Sequence, residues 1–202
     1  EYARLLEEGE METIITTCCP SVNDLIEIYY PQLVPYMAPV VSPMIAHGKM
    51  LKEELGSNVK VVFLGPCIAK KKEAGDVRHD SCIDAVLNFN DINRWLNEEE
   101  ITKVNRLYPV TNGVVNSVLA TEEKKDGYRK FYVHGAKNCI DLCESMVRGE
   151  IKGCFIEMNM CSGGCIKGPT VEDESISRFK VKLDMEETIE KDPAIKSEVE
   201  EI

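Results

Sequence analysis

Cysteines carry most of the reactive chemistry in this 202-residue sequence, and five of the nine stand out by position. Cys18 and Cys19 are adjacent, Cys67 ends the apolar stretch VKVVFLGPC, and Cys161 and Cys165 flank a glycine pair in MCSGGC. Neighbouring side chains on a strand point to opposite faces, so Cys18 and Cys19 are expected to have separate roles. Thiolates brought together from such segments are typical ligands of a metal ion or an iron–sulfur cluster.

Four cysteine ligands could bind either of two inorganic groups: a zinc ion or a [4Fe–4S] cubane. Structural zinc sites usually use paired C-x2-C knuckles, and the sequence contains none. Gly163 and Gly164 allow positive φ and a close approach of the backbone to a bulky group. The lack of a C-x2-C pair and the presence of the two glycines therefore favour the cubane. The alternative without metal is a set of buried apolar cysteines at strand ends.

The remaining candidate ligands have simpler interpretations. Cys139 and Cys143 share one helix face with apolar neighbours, which favours a core stripe over a second metal site. Two other cysteines are expected to be structural, the histidines to lie at the surface or to be satisfied in the core, and two alternating methionines to pack. These residues are Cys82, Cys154, His47, His79, His134, Met158 and Met160.

Strand and helix patterns alternate along the chain and predict the elements that position these residues. A Ser21 cap is expected to begin the second helix, and the proline-rich segment from Pro35 to Pro43 to form a loop. The predicted strands cover 11–19, 59–67, 129–135 and 152–161, and the predicted helices cover 3–10, 21–33, 44–56, 84–100 and 136–150.

This alternation predicts an α/β fold with a mostly parallel sheet flanked by helices. The segment 59–67 is nearly continuous in apolar residues and is predicted to be a buried strand. In such folds the binding crevice lies beyond the carboxyl ends of the strands. Because Cys19, Cys67 and Cys161 each end a different predicted strand, a cluster site is expected there.

Composition argues against several classes of partner. The formal charge is −11, and no basic block extends beyond Lys70, Lys71 and Lys72, which argues against nucleic acid. No stretch approaches the roughly 18 apolar residues of a membrane span, and the start shows no export signal. The expectation is therefore a cytoplasmic protein without a membrane partner.

Three segments, TTCCPS, LGPCIAKKKE and EMNMCSGGCIKGP, resemble in this order the three signatures of the [FeFe]-hydrogenase large subunit, C-terminal (H-cluster) domain. The resemblance covers residues from about 12 to about 169. It implies an H-cluster, in which a [4Fe–4S] cubane is joined through one cysteine sulfur to a two-iron subcluster with CO, cyanide and dithiolate ligands. It also implies reversible H2 oxidation and proton reduction.

The resemblance assigns the cubane to four residues of this sequence. Cys19, Cys67, Cys161 and Cys165 would be its ligands, and the Cys165 sulfur would bridge to the two-iron subcluster.

Four further residues match positions with catalytic roles in the family. Cys18 matches the proton-delivering thiol, and Lys70 the lysine that hydrogen-bonds a cyanide ligand. Ser42 matches a serine near the two-iron subcluster, and Glu157 the acidic residue of the third signature. The alternatives are a plain buried thiol for Cys18 and a solvated basic turn for Lys70.

The sequence departs from the family pattern around the two-iron subcluster but not at the cubane ligands. Gly65 and Asn159 replace methionines, Ala38 replaces a serine of the proton path, and a glycine run is reduced to Gly168-Pro169. These changes resemble the sensory branch of the family, whose members are joined to signalling modules. The alternative is a non-catalytic [4Fe–4S]-binding or regulatory hydrogenase-like module.

The resemblance also implies how the chain is organised. Residues 1–182 are expected to form a partial catalytic domain without the front of its first lobe, and 183–202 a charged helix or linker to a further domain. A single lobe shields a cluster poorly, so an isolated fragment is expected to lack its iron. Expected partners are H2 and protons, a ferredoxin-like domain or electron carrier, and a PAS or kinase signalling domain.

Overall fold

The computed structural model describes residues 1–93, 112–119, 124–171 and 177–191, which form two sheets surrounded by helices. The strands are β1 (Ile14–Ile15), β2 (Val62–Leu64), β3 (Ala85–Leu87), β4 (Lys124–Lys125), β5 (Tyr128–His134) and β6 (Cys154–Asn159). The larger sheet has the order β1-β6-β5-β4, and the smaller sheet pairs β2 with β3. All pairings are parallel except that of β4 with β5. The predicted α/β fold with a mostly parallel sheet is confirmed.

The α-helices in the described part of the chain mostly follow the predicted pattern. They are α1 (Tyr2–Glu8), α2 (Pro20–Tyr29), α3 (Pro43–Leu55), α4 (Ala69–Ala74), α5 (Phe89–Asn93), α6 (Gly113–Leu119), α7 (Ala136–Val147) and α8 (Arg178–Lys191). The predicted Ser21 cap is wrong, because α2 begins at Pro20 with Cys19 as its N-cap residue. Proline suits the first helical position, where its missing N–H costs nothing. None of the described helices combines the length and apolar character that a membrane crossing requires.

The unit β5-α7-β6 forms the centre of the larger sheet, as predicted. Every residue of β6 is buried, because apolar clusters cover both faces of the sheet. On one face, Ile156 and Met158 pack against the apolar stripe of α7, which includes Cys139 and Cys143. On the other face, Phe155 packs in a cluster with residues of α1 and α6. The interpretation of Cys139 and Cys143 as core residues is therefore confirmed.

The strand predicted over 59–67 is present as β2, but its predicted burial is wrong. Val62 and Leu64 in β2 are 49% and 55% exposed. The strand pairs only with β3, which lies inside the segment 84–100 that the sequence predicts to be helical. Tertiary pairing overrides helical spacing over 85–87, and the helix α5 begins only at Phe89. The rest of that predicted helix, 94–100, lies outside the described residues.

Smaller differences occur at the edges of the fold. The strand β4 was not predicted, and a short 3-10 helix, Pro31–Tyr36, extends into the start of the loop predicted from Pro35. The helix α8 crosses residue 182, where the sequence suggests a boundary, and residues 192–202 lie outside the described chain. The division into two parts stays a prediction.

The buried aromatic ring of Phe155 provides a test of the main core. Phe155 is 0% exposed, so Phe155→Ala should lower the free energy of unfolding by about 3–5 kcal/mol through lost burial and a residual cavity. Val77→Ala is the control, because Val77 is 91% exposed and its change should stay within about 0.5 kcal/mol. Denaturant unfolding measures both. Equal effects of the two changes would contradict the described core.

The carboxylate of Asp84 joins the two strands of the smaller sheet and makes their stability depend on pH. It accepts hydrogen bonds from Lys52 Nζ at 2.8 Å, from the Val61 N–H at 2.9 Å and from Lys60 Nζ at 3.0 Å. The Lys52 contact, then the Val61 N–H and Lys60, hold the pKa of Asp84 well below its ordinary value of 3.8. The ionised Asp84 carboxylate therefore stabilises the fold fully at pH values above its ordinary pKa. This stabilisation is lost as the pH falls through the lower pKa that Asp84 has in the folded protein.

We expect Asp84→Asn to lower the melting temperature at pH 7 and to lose this effect progressively below about pH 4. Thermal unfolding over a pH series measures it. The control is Asp80→Asn, because the Asp80 side chain is 83% exposed and its ion pair with Lys49 is long, at 3.5 Å. A difference for Asp84→Asn that persists at the lowest pH would show that the lost charge is not the cause.

Candidate cluster-binding site

Three chain segments converge at the carboxyl ends of strands from both sheets. Cys18 and Cys19 follow β1, Cys67 follows β2, and Cys161 follows β6. The strands β1 and β6 are parallel neighbours, so their ends meet at one edge of the larger sheet. The end of β2 reaches this edge from the smaller sheet. The strand ends therefore meet between two sheets, and not at the rim of a single sheet as the sequence suggests.

The thiols of three of these cysteines lie close enough to influence one another electrostatically. Burial raises the pKa of Cys161, and the charges of Cys19 and Cys67 raise it further. Burial also raises the pKa of Cys19, and the backbone N–H groups of Met160 and Val22 offset part of this rise. The structure thus brings Cys19, Cys67 and Cys161 together from three distant segments.

Cys165 belongs to the same region. It lines one cavity with Cys67 and Lys70, and its charge contributes to the raised pKa of Cys18. The cavity has a volume of about 510 Å³, and most of its wall is apolar, including Met44 and Phe63. All five cysteines singled out from the sequence therefore surround one site, while their chemical roles stay predictions.

The donor set fits a cluster better than a single ion. All nine cysteines are reduced thiols, and no three His, Cys, Asp or Glu side chains among the described residues are grouped tightly enough for one metal ion. A zinc ion would need all its sulfurs about 2.3 Å away. A cubane is wider, because each cysteine binds a different iron. Gly163 and Gly164 have φ of +89° and +81°, so the loop uses backbone conformations that other residues rarely adopt.

Gly168 allows the third segment to pack directly on the second. An added Cβ at Gly168 would lie 2.7 Å from the Pro66 carbonyl oxygen and 3.2 Å from that of Cys165. Its φ of −61° is ordinary, so the glycine is required for space and not for conformation. This contact holds the turn carrying Cys165 beside Cys67.

Two residues that the sequence did not assign to the site position the loop between Cys161 and Cys165. His134 Nδ1 accepts a hydrogen bond from the Gly163 N–H at 3.1 Å, and Arg178 Nη1 donates one to Ser162 Oγ at 2.9 Å. The sequence pattern could have placed His134 near this loop, because His134 ends β5, and β5 lies parallel to β6. Arg178 had no such signal, because it comes from α8, whose docking is purely tertiary.

Lys70 is buried and is held by two partners. Its ammonium donates a hydrogen bond to Glu73 Oε2 at 2.6 Å and to the Cys18 carbonyl oxygen at 3.3 Å. Lys70 and Glu73 are 5% and 8% exposed, so the alternative of a solvated basic turn is wrong for Lys70. The description as a solvated basic turn is right for Lys71 and Lys72, which are exposed. Glu73 was missed, although its K-x-x-E spacing from Lys70 is a signal for a helical ion pair.

Cys18 lies deeper than its four neighbours in the site. It is 1% exposed, and its Sγ lies 3.8 Å from Thr16 Oγ1. Burial raises the pKa of Cys18 far above that of an ordinary thiol, and the charges of Glu157 and Cys19 raise it further. The thiol therefore keeps its proton at neutral pH. Its role in proton delivery stays a prediction.

Glu157 is fully buried and its carboxylate is already occupied by protein groups. Oε1 accepts from the Asn112 N–H at 3.1 Å and from Asn159 Nδ2 at 2.9 Å, while Oε2 accepts from the Val115 N–H at 2.9 Å. Burial raises the pKa of Glu157, and these donors oppose the rise. The side chain anchors the start of α6, and its catalytic role stays a prediction.

The other positions that match or depart from the family pattern have distinct surroundings. Ser42 is 1% exposed, and its Oγ has no hydrogen-bond partner among the described residues. Ala38 is buried, and its carbonyl oxygen accepts from Thr17 Oγ1 at 3.3 Å. At Gly65 an added Cβ would lie 2.8 Å from the Phe63 ring, and both residues line the apolar cavity.

Comparison with known proteins gives concordant matches. The family described as "Iron only hydrogenase large subunit, C-terminal domain" matches residues 1–169. The chain is 26% identical over 223 residues to the periplasmic [Fe] hydrogenase large subunit of Nitratidesulfovibrio vulgaris, covering 82% of this chain and 53% of the relative. It is 22% identical over 242 residues to iron hydrogenase 1 of Clostridium pasteurianum, covering 90% and 42%. The chain thus spans about half the length of these relatives.

A solved structure gives the same fold. The chain resembles a variant of apo [FeFe]-hydrogenase from Chlamydomonas reinhardtii with a TM-score of 0.64 at 18% identity. The match covers 96% of this chain and 72% of the other.

The contact at Gly168 generates a prediction about how the site is assembled. Gly168→Ala should lower the free energy of unfolding by about 1–3 kcal/mol, because the new methyl group meets rigid backbone. It should also speed alkylation of Cys67 and Cys165 by a thiol reagent. Gly75→Ala is the matched control, because its Cβ would lie 3.6 Å from the Lys72 carbonyl oxygen, an ordinary van der Waals contact. Denaturant unfolding and mass spectrometry measure the two effects, and equal behaviour of both variants would contradict the packing.

Proposed function

We propose a function from one premise: the chain belongs to the family of the iron-only hydrogenase large subunit, C-terminal domain. The proposed function is that of an [FeFe]-hydrogenase-type domain. When bound, its H-cluster would supply the electron transfer and hydrogen chemistry that interconvert H2, protons and electrons. The observation that carries the proposal is the convergence of Cys19, Cys67 and Cys161 with the cavity wall formed by Cys67 and Cys165.

The four cysteines would hold a [4Fe–4S] cubane, and the Cys165 sulfur would be shared with a two-iron subcluster bearing CO, cyanide and dithiolate ligands. The positive φ of Gly163 and Gly164 supports this, since the loop folds back between two ligands without side chains in the way.

Lys70 would bind an anionic ligand of the two-iron subcluster. Its ammonium lies in the wall of the cavity that contains Cys67 and Cys165. Glu73 and the Cys18 carbonyl oxygen fix its position. A fixed cation in a buried site attracts a small anion such as cyanide more strongly than an exposed cation does.

Cys18 would hold the proton that the reaction exchanges. Its Sγ keeps a proton at neutral pH because burial raises its pKa. In this state the side chain is a proton donor toward the site. The apolar wall around Met44 and Phe63 would exclude water from the site while admitting H2, which is itself apolar.

A sensing role is a finer proposal. Gly65, Asn159 and Ala38 alter the surroundings of the two-iron subcluster, whereas the four cysteines are retained. Such a protein would work in the cytoplasm with a ferredoxin-like electron carrier and a PAS or kinase domain. These partners and the activity of the whole protein belong to the proposal, because the chain spans only about half of its relatives.

A second candidate is a regulatory module that binds the cubane alone. The observation that favours it is that Lys70 and Glu157 already have protein partners. Lys70 is paired with Glu73, and the Glu157 carboxylate accepts three hydrogen bonds from the chain.

Infrared spectroscopy and iron analysis after cluster maturation decide between these functions. The hydrogenase-type domain should bind about six irons and show CO and cyanide bands, whereas the regulatory module should bind about four and show none. Cys67→Ser should abolish both signals. Cys82→Ser is the control, because Cys82 is buried in the core near α3 and should leave loading unchanged. Iron binding that survives Cys67→Ser would contradict both candidates.

A further inference from the structure

The helix α8 lies against the rest of the protein with little apolar burial. None of its described side chains is buried, and Phe179 and Leu183, which are one turn apart, are 66% and 64% exposed. Helices in proteins gain most of their stability from the packing of an apolar face. The attachment of α8 is therefore weak enough for individual polar contacts to matter.

Arg178, the first residue of α8, makes such a contact with the cluster-binding loop, residues 162–164. Arg178 Nη1 donates a hydrogen bond to Ser162 Oγ at 2.9 Å, and its guanidinium lies 5.0 Å from the centre of the Phe179 ring. A cation over an aromatic face is attracted to it, which restricts the directions in which the guanidinium can point. The side chain of Arg178 thus joins α8 to the loop between Cys161 and Cys165.

The stem of Arg178 also packs on the backbone of this loop. An added Cβ at Gly163 would lie 2.8 Å from Arg178 Cδ, so the stem occupies the place where another residue would have its side chain. The Gly163 N–H donates a hydrogen bond to His134 Nδ1. Rotation of the loop away from this conformation would break both contacts, so the docking of Arg178 requires one conformation of the loop.

A bound cubane would fix the same short segment. Cys161 and Cys165 would be two of its four ligands, and only three residues separate them. When two events favour one conformation of a shared segment, each increases the equilibrium constant of the other by the same factor. The cluster-binding loop is such a segment for α8 docking and cluster binding.

We propose that α8 is a clamp on the cluster-binding loop and that Arg178 is its positioning residue. Docking of α8 keeps Cys161 and Cys165 in the arrangement that binds the cluster, and a bound cluster keeps α8 docked. The clamp comes from outside the residues that match the family, because α8 follows residue 169. The effect on the cluster rests on the proposed function, whereas the effect of Arg178 on the loop does not.

Alkylation of the iron-free protein tests the effect of Arg178 on the loop. Arg178→Ala removes the hydrogen bond and the packed stem, so Cys161 and Cys165 should react with a thiol reagent about fivefold faster or more, as for a typical coupling between two sites. Lys180→Ala is the matched control, because Lys180 is exposed and its ammonium pairs with Asp184 of the same helix. Mass spectrometry measures the rate at each cysteine. Equal rates in Arg178→Ala and Lys180→Ala would overturn the proposal.

Two further variants separate this contact from a general loss of structure. Ser162→Ala removes the same hydrogen bond from the loop side, so the double variant with Arg178→Ala should react no faster than Arg178→Ala alone. Arg178→Lys retains a stem and a donor, so it should return the rates toward those of the unchanged protein. Additive effects of Arg178→Ala and Ser162→Ala would contradict a shared contact. Should Arg178→Ala fail to fold, unchanged rates in Ser162→Ala would overturn the proposal, because Ser162 is exposed and tolerates the change.

Hydrogen exchange of the α8 amides tests the reciprocal effect in the protein loaded with a [4Fe–4S] cluster. These amides should exchange about fivefold more slowly or less with the cluster than without it, and Arg178→Ala should remove the difference. Equal exchange in the loaded and iron-free protein would overturn the linkage. A protein that takes up no cluster would contradict the proposed function alone, and the alkylation rates would still decide whether Arg178 clamps the loop.

Discussion

The buried ion pair between Lys70 and Glu73 is the interaction on which the site depends. It comes from the segment after β2, and through the Cys18 carbonyl oxygen it ties that segment to the segment after β1. The two strands belong to different sheets, so no backbone ladder fixes their distance. Removal of one partner from a buried pair typically costs about 3–5 kcal/mol, because the other charge is left without compensation. The ion pair therefore helps to fix how the smaller sheet lies relative to the larger sheet.

The remaining contacts of the site act on the third segment. His134 and Arg178 hold the loop between Cys161 and Cys165 from two sides, and Gly168 lets its far end rest on Pro66. These contacts use the Gly163 N–H, the Ser162 hydroxyl and the absence of a side chain at Gly168, so they leave the thiols unencumbered. A site of this kind is preorganised: the loop conformation is set by protein contacts before any cluster binds, which reduces the ordering that binding must supply.

The departures from the family pattern are structurally coherent. The Phe63 ring lies 2.8 Å from the position of an added Cβ at Gly65, and the Asn159 amide donates a hydrogen bond to Glu157, so each change has a specific neighbour in the fold. Ala38 is buried where the family pattern has a serine, and its carbonyl oxygen accepts a hydrogen bond from Thr17 Oγ1. The chain thus combines retained cysteines with a rearranged surrounding, which is what a changed rate or a sensing role would require.

The sequence by itself determined the cysteine set, the glycine loop and the β5-α7-β6 unit, because these depend on local spacing and on periodic burial. The end of β1, the end of β2 and the end of β6 were also predictable as the places where cysteines emerge. Only the tertiary structure decided that β2 leaves the main sheet to pair with β3, since a short apolar run carries no information about its partner. It also decided that Glu73 faces Lys70 and that Glu157 anchors α6. Such contacts join residues far apart in the chain, and they form only when the sheets and helices have packed.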